Sequence, residues 1–200
     1  MKNEMLSVFP PSYNGGKTFF FLVALTLNFV APVYAAETDS LLTQARLLYY
    51  ESLKDKSRLD PAIAMFEKIG AVEARLQGRA QTYIGSLTAV KAKYAFWPHQ
   101  KWKWAKNGLR VMDAGLAQSP ADIEALFIHG TTCYYLPKFF GRSDEAQRSL
   151  REIVRLLPEQ AHDYDPKVLG NVIKFLMDKL KLTEGEREHL TMINAKQAQK

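Results

Sequence analysis

The chain has 200 residues, with 27 lysines and arginines against 21 aspartates and glutamates, which gives a formal net charge of +6. A chain of this length can bury one sizeable hydrophobic core. The single cysteine, Cys133, excludes an intrachain disulfide. We therefore expect one compact domain that is stabilised by packing alone.

The first 35 residues predict a secretory signal peptide. Lys2 and Lys17 bracket a polar lead, and residues 19–31 form an apolar run that small residues follow up to Ala35. A basic lead, a short apolar segment and a small-residue cleavage point are typical of exported proteins. The run is also shorter than the roughly 20 residues that span a bilayer. We expect cleavage near Ala35 and a periplasmic or secreted protein, with retention as an anchor as the alternative.

From Ser40 onward the chain carries helix signals and almost no strand signals. Asp60 precedes Pro61 and Asp165 precedes Pro166, and a capping carboxylate followed by proline suits the first turn of a helix. Apolar residues also recur at helical spacing. These stripes are Ala62, Phe66, Ile69; Tyr83, Leu87, Val90, Tyr94; Leu109, Met112, Leu116; Leu126, Gly130, Cys133, Tyr134; Leu150, Ile153, Leu157; and Leu169, Ile173, Leu176.

One spacing recurs with an offset of 38 residues. A small residue is followed by two apolar or small residues, four and then three positions later, and by a proline. The two full copies are Ala146, Leu150, Ile153, Pro158 and Gly108, Met112, Gly115, Pro120; Ala62, Phe66 and Ile69 match without the proline. Over residues 40–158 this resembles the second half of a degenerate tetratricopeptide repeat, in which a small residue lets paired helices approach closely.

The resemblance implies an all-α fold of about seven helices in stacked antiparallel pairs, a short tetratricopeptide-like solenoid. A C-terminal helix over residues 166–182 would cap the stack by covering an otherwise exposed apolar face. The predicted organisation is a signal peptide in residues 1–35, a helical domain in residues 36–182, and a short closing helix with a flexible tail in residues 183–200.

Two aromatic and basic loops interrupt the repeat, at residues 96–106 and 136–142. They also resemble loops of a family of secreted bacterial helical-repeat proteins, which implies no function. Turns between paired helices lie on one edge of a stack, so we expect the loops to be neighbours. An apolar patch rimmed by positive charge would bind an acidic-aromatic peptide or touch anionic lipid. The predicted partner-binding residues are Trp97, Lys101, Lys103, Phe139, Phe140 and Arg142.

The alternative for these loops is that the aromatic rings fold inward and close the ends of the helix pairs, while the lysines are solvated. We expect this for Phe96, Trp102 and Phe140. For Trp97 and Phe139 both interpretations stay open.

Neither a metal site nor a catalytic site is predicted. His129 and Cys133 share a helix face, but two ligands make a poor site, and a cysteine on an apolar stripe usually packs in the core. Asp163 and Asp165 flank a turn, and Asp165 has a capping role. The chain lacks the common nucleophile, zinc, phosphate-binding and dinucleotide-binding motifs. We expect no enzyme activity and no cofactor.

The sequence thus favours an exported interaction module that binds a protein or peptide of the cell envelope, by its concave face or by the aromatic loops. Nucleic acid is not an expected partner outside the cytoplasm, where lipid headgroups, cell-wall polymers and acidic proteins carry negative charge. The alternative function is a carrier of a small apolar ligand or lipid. It would need an inter-helix cavity, which space around Gly108, Gly115 and Gly130 would provide, although such glycines more often indicate tight helix packing.

Overall fold

The computed structural model describes residues 38–197, and every regular element in that part of the chain is helical. The predicted signal peptide lies outside the described residues. The helices are α1 (residues 38–52), α2 (Leu59–Val72), α3 (Gln77–Tyr94), α4 (Pro98–Gln118), α5 (Ile123–Tyr135), α6 (Ser143–Gln160), α7 (Pro166–Lys179) and α8 (Glu184–Gln197). None of the helices between residues 38 and 197 is long and apolar enough to span a bilayer.

The helices form stacked pairs. We call the first helix of each pair an inner helix (α1, α3, α5 and α7) and the second an outer helix (α2, α4, α6 and α8). Helices α2 and α4 both pack on α3, α6 packs on α5, and α8 packs on α6 and α7. The predicted all-α fold of stacked helix pairs is therefore confirmed.

The closing helix α8 is part of this packing. Its Leu190 is buried, and the side-chain amide of Gln197 donates a hydrogen bond to the carbonyl of Ala161 over 2.9 Å. The expected boundary at residue 182 falls in the short connection between α7 and α8. The ordered helix reaches Gln197, so the closing segment is longer than the short helix that the sequence suggested.

Ring stacking joins the first three helices of the core. Tyr49 of α1 meets Tyr83 of α3 edge-on at 4.9 Å between ring centroids, and Phe66 of α2 stacks on Tyr83 at 4.2 Å. All three rings are buried. The repeated small residues are buried as well, at Ala62 in α2 and at the equivalent positions of α4 and α6. The spacing seen in the sequence therefore marks equivalent buried positions of the outer helices.

The seam between α3 and α4 leaves no space for a ligand. A Cβ atom added at Gly108 would lie 2.3 Å from the backbone nitrogen of Ala89, and one added at Gly115 would lie 2.5 Å from that of Thr82. At Gly130 an added Cβ would lie 2.9 Å from Leu150 Cγ. These glycines allow close helix contact, so the cavity that the carrier interpretation expected around them is wrong.

Two of the helix starts differ in how well the sequence predicted them. The Asp165 carboxylate accepts hydrogen bonds from the backbone nitrogens of Lys167 and Val168, as expected of a cap. Asp60 does not cap, because α2 begins at Leu59, two residues before Pro61, and the Asp60 carboxylate instead pairs with Lys91 over 2.7 Å. An ion pair with the neighbouring helix α3 thus replaces the capping role that the local sequence predicted for Asp60.

Candidate functional site

A groove with a volume of about 420 Å³ lies between the inner helices α1, α3 and α5. Its walls are mostly apolar. We call it the inner groove, and its main lining residues are Tyr50, Leu53, Val90, Phe127, Tyr135 and Leu136. The hydroxyl groups of Ser86 and Thr132 lie 2.8 Å apart in the same wall, so they satisfy each other. An apolar wall with few free polar groups suits apolar side chains of a ligand.

A second cavity of about 440 Å³ extends the inner groove toward α7. It shares Tyr50, Phe127 and Tyr135 with the first cavity. Phe175 of α7 also lines it, with ring centroids 5.6 Å from Phe127 and 6.2 Å from Tyr135. The aromatic part of the lining therefore comes from three helices, α1, α5 and α7.

Two tyrosines of the inner groove present their rings to solvent. Tyr135 is 70% exposed and Tyr50 is 42% exposed. Burial of the hydroxyl, helped by the neighbouring Tyr49 and Glu124, raises the pKa of Tyr50 to about 12. The Tyr50 hydroxyl therefore stays protonated at neutral pH and can donate a hydrogen bond.

The rim of the inner groove is mainly positive. Lys93, Lys174 and Lys179 line it, against one carboxylate, that of Asp178. The Lys93 ammonium also donates to the carbonyl of Leu53 over 2.9 Å. Since three ammonium groups face one carboxylate, the rim favours a ligand that carries negative charge.

Asn171 adds a neutral polar group to the same rim. Its exposed amide forms no hydrogen bond with another described residue. A free side-chain amide can both donate to and accept from a peptide backbone.

A buried ion cluster joins α1, α3 and α5 beside this groove. The Glu124 carboxylate is fully buried and accepts two hydrogen bonds from Arg46, at 2.7 and 2.6 Å, and one from the Tyr83 hydroxyl at 2.5 Å. Arg79 lies 3.2 Å from Glu124 and 2.6 Å from Asp122. Two guanidinium groups thus balance two carboxylates, and the cluster fixes three inner helices relative to one another.

The interactions within this cluster keep its acidic and basic side chains ionised. Burial opposes ionisation of Glu124, but the hydrogen bonds from Arg46 and the charge of Arg79 outweigh burial, so the pKa of Glu124 is lowered. Burial likewise opposes the charge on Arg79, and the nearby Glu124 and Asp122 raise its pKa in spite of it. This cluster is not predicted from the sequence, since no local spacing distinguishes Glu124 from a solvent-exposed helix residue.

A second polar network lies between α4, α5 and α6. His129 contacts Ser149 Oγ through Nδ1 at 2.8 Å and Asp113 through Nε2 at 3.1 Å. Burial lowers the pKa of His129, although Asp113 favours its charged form. His129 and Cys133 are both buried, as expected of core residues.

Arg142 belongs to this second network. Its guanidinium pairs with the Asp113 carboxylate, and its side chain is only 18% exposed. The pairing means that Arg142 is not a free cation on the surface. Its predicted role in steering acidic groups is therefore not supported by its position, because its charge is already matched.

The aromatic loops come together as predicted, but with different exposures. Trp102 stacks on Phe140 at 4.9 Å and lies 6.2 Å from Phe139, so the second loop packs on the first turns of α4. Trp97 forms a separate edge-on pair with Phe96 at 5.0 Å. We call these two groups of rings, at the loops that follow α3 and α5, the aromatic edge, and its residues are Phe96, Trp97, Trp102, Phe139 and Phe140.

Most of the aromatic edge faces solvent. Phe96 is 81% exposed, Phe139 72% and Trp97 55%. The expectation that Phe96 folds inward is therefore wrong, because the loop places its ring outside the helix pair. Phe140 does pack inward, against a small cluster that contains Leu109 and Met112. Trp102 is half exposed and lies across that ring.

The predicted basic residues of this edge, apart from Arg142, are solvated. Lys101 and Lys103 are exposed, and neither forms an ion pair with a described residue. Lys106 lies over the Trp102 ring, 5.5 Å from its centroid. The edge thus combines protruding rings with unmatched positive charge.

No protein-family model, curated protein or solved structure matches this chain. The two surfaces of the described residues that are suited to binding a partner are the inner groove and the aromatic edge.

Proposed function

We propose that the protein is an interaction module that binds an extended, apolar and acidic segment of a partner protein in the inner groove. The observation that carries this proposal is the set of aromatic rings that α1, α5 and α7 contribute to two adjoining cavities, Tyr50, Phe127, Tyr135 and Phe175. Exposed rings on a preformed surface supply binding area at a small cost in conformational entropy.

The dimensions of the groove favour a peptide over a small molecule. The groove consists of two adjoining cavities of about 420 and 440 Å³ that share Tyr50, Phe127 and Tyr135. A peptide can place one or more apolar side chains in each cavity. The groove is also open along its length, whereas a carrier encloses most of its ligand.

The rim defines the chemistry of the peptide. Lys93, Lys174 and Lys179 would attract Asp or Glu side chains, and the Asn171 amide would pair with the peptide backbone. Apolar side chains between the acidic ones would contact Tyr50 and Tyr135. The proposed ligand is therefore an acidic segment with interspersed apolar or aromatic residues.

Selection from a displayed library of random short peptides tests the proposal. We expect enrichment of acidic and apolar residues, and the Tyr135→Ala variant should bind the selected peptides at least tenfold more weakly. Leu47→Ala is the matched control, because Leu47 is an exposed apolar residue of α1 that does not line the groove. A library without enrichment, or equal binding by both variants, would contradict the proposal.

The aromatic edge requires its own arm of this test. The double variant Trp97→Ala, Phe139→Ala removes two exposed rings and should leave the melting temperature nearly unchanged. If peptide affinity falls with this variant and not with Tyr135→Ala, then the partner binds at the edge and not in the groove.

A carrier of a small apolar ligand remains the second candidate, because about 420 Å³ is a volume typical of small-molecule sites. Its place would be the inner groove and not the glycine seam. Native mass spectrometry of the purified protein separates the two functions. A discrete retained mass that disappears in Tyr50→Ala would support a carrier, and an unliganded mass would support the peptide module.

The proposal includes export to the cell envelope, which rests on residues 1–35. N-terminal sequencing of the protein recovered from a bacterial envelope fraction should give a start at Ala36. A chain that still begins at Met1 in the cytoplasmic fraction would contradict export.

A further inference from the structure

We propose that the aromatic edge docks the protein onto the surface of an anionic lipid bilayer. This is a second binding activity, and it does not rest on the peptide function of the inner groove. Its three most exposed rings, Phe96, Trp97 and Phe139, lie on the loops that follow α3 and α5. They are not covered by any described part of the chain.

The shape of the edge fits a membrane better than a protein partner. Aromatic hot spots of protein interfaces fill pockets of the partner and are ringed by close contacts. Here the rings of Phe96 and Phe139 protrude, with more than two thirds of their surface in solvent. A bilayer interface needs no complementary pocket, and Trp and Phe rings partition into its headgroup region.

The charge of the edge selects an anionic surface. Residues 91–112 contain no aspartate or glutamate, and Lys101, Lys103 and Lys106 there form no ion pair with a described residue. Lys138 on the second loop is exposed as well. The nearby Asp60 carboxylate is already paired with Lys91 over 2.7 Å. Clustered lysines beside apolar rings are the combination that attracts peripheral proteins to acidic lipids.

The rings rest on a rigid support. Trp102 lies across Phe140, and Phe140 packs against the cluster of Leu109, Met112, Cys133 and Ala146. The exposed rings are therefore held at the end of a folded helix pair, and little conformational freedom is lost when they enter the headgroup layer.

The edge also has a fixed position relative to the inner groove. The loop that carries Phe139 follows α5 directly, after the groove residues Tyr135 and Leu136. The loop that carries Trp97 follows α3 three residues after Tyr94. Docking through the edge would hold this end of the groove next to the lipid surface.

Tryptophan fluorescence provides a direct test, because all three tryptophans of the chain, Trp97, Trp102 and Trp104, lie in this region. The purified protein is mixed with vesicles of phosphatidylcholine alone, or with about one third phosphatidylglycerol. We expect an emission blue shift, and quenching by acyl-brominated lipid, with the anionic vesicles only. At about 1 M salt, where the Debye length is about 3 Å, the binding should weaken strongly.

Paired variants distinguish lysines of the edge from lysines elsewhere. Lys101→Gln with Lys103→Gln should lower the partition coefficient by roughly 10- to 30-fold, since each lysine near an anionic surface contributes on the order of fivefold. Lys68→Gln with Lys167→Gln is the matched control, because it removes the same charge from exposed positions on α2 and α7. The control should bind like the unchanged protein.

Three outcomes would overturn the proposal. They are equal binding to neutral and anionic vesicles, an equal loss of binding in the two lysine pairs, and no binding to either vesicle. In the last case, protection of Trp97 from acrylamide quenching by an acidic peptide would assign the edge to a protein partner. Tyr135→Ala should leave vesicle binding unchanged, so failure here is distinguishable from failure of the groove.

Discussion

The two sides of α3 are built in opposite ways. Toward α4, Gly78 and Gly85 bring two helix backbones into contact, so that a single added methyl group would clash. Toward α1 and α5, the same helix presents the Tyr83 ring and the Arg79 guanidinium, and large side chains hold the helices further apart. The glycine side is closed, and on the other side Ser86, Ala89 and Val90, one to two turns after Tyr83, line the inner groove.

This difference shows where a ligand can bind. Helices whose backbones are in contact through glycine leave no cavity between them. Helices that are spaced by rings and ion pairs leave grooves between their outer ends, which a peptide can enter. We therefore expect substitutions on the two sides to change the unfolding free energy by different amounts.

The largest effect is expected on the open side, at the ion cluster. Glu124→Ala removes the carboxylate that Arg46 and Arg79 share, and it leaves a net positive charge in a buried position. Breaking such a pair costs about 3–5 kcal/mol of unfolding free energy. Chemical denaturation measures this loss, and Glu152→Ala, which removes a carboxylate of α6 that pairs only with Arg155, should leave the unfolding free energy nearly unchanged.

The closed side predicts a somewhat smaller loss. In Gly85→Ala the new Cβ would lie 2.3 Å from the backbone nitrogen of Met112, so the two helices must separate. We expect a loss of about 2–3 kcal/mol. Gly170→Ala is the matched control in α7, where the nearest atom lies 4.0 Å away, and it should stabilise the helix by about 0.5–1 kcal/mol. Equal effects at both sites would contradict the glycine seam.

The pH dependence separates the two polar networks. His129 has a lowered pKa in the folded protein, so the unfolded chain binds the proton first, and stability falls as the pH drops below about 6.5. The slope cannot exceed about 1.4 kcal/mol per pH unit for one proton. Glu124 also has a lowered pKa, so its contribution is lost only below about pH 4.3. A plot of melting temperature against pH should be flatter for His129→Gln than for the unchanged protein between pH 7 and 5. Below pH 4 the two plots should have the same slope.

The smallest effect on stability is expected in the groove itself. Tyr135 is largely exposed, and Tyr135→Ala should change the unfolding free energy by less than about 0.5 kcal/mol. Tyr49→Ala, which removes a buried ring from the same wall, should cost about 3–5 kcal/mol. If Tyr135→Ala destabilises as strongly as Tyr49→Ala, then Tyr135 is a core residue and not part of an open site.

The fold could be predicted because its signals are local. The stripe of Leu169, Ile173 and Leu176 is buried as expected, and so is the stripe of Leu150, Ile153 and Leu157. Helical periodicity depends only on neighbours within a few turns, so the sequence alone carries it. Tyr134, placed on a core stripe, is instead 39% exposed, since it lies in an aromatic cluster beside Phe175 at the end of α5.

The candidate site could not be predicted in the same way, because it is made by side chains from four helices. Tyr50 and Tyr135 are 85 positions apart and meet only through the packing of α1 against α5. Arg142 looked like a surface cation, and only the fold places Asp113 beside it. The aromatic loops were recognised in the sequence, but the exposure of Phe96 depends on the exact path of the loop in space.

Site-specific photocrosslinking tests the central claim, that the inner groove binds an acidic, apolar peptide, most directly. Benzoylphenylalanine is placed at Tyr135, in the groove, or at Val72, an exposed apolar position on α2 that lies outside it. We expect that a selected peptide crosslinks to position 135, is displaced by unlabelled peptide, and does not crosslink to position 72. Equal crosslinking at both positions, or none at position 135, would contradict it.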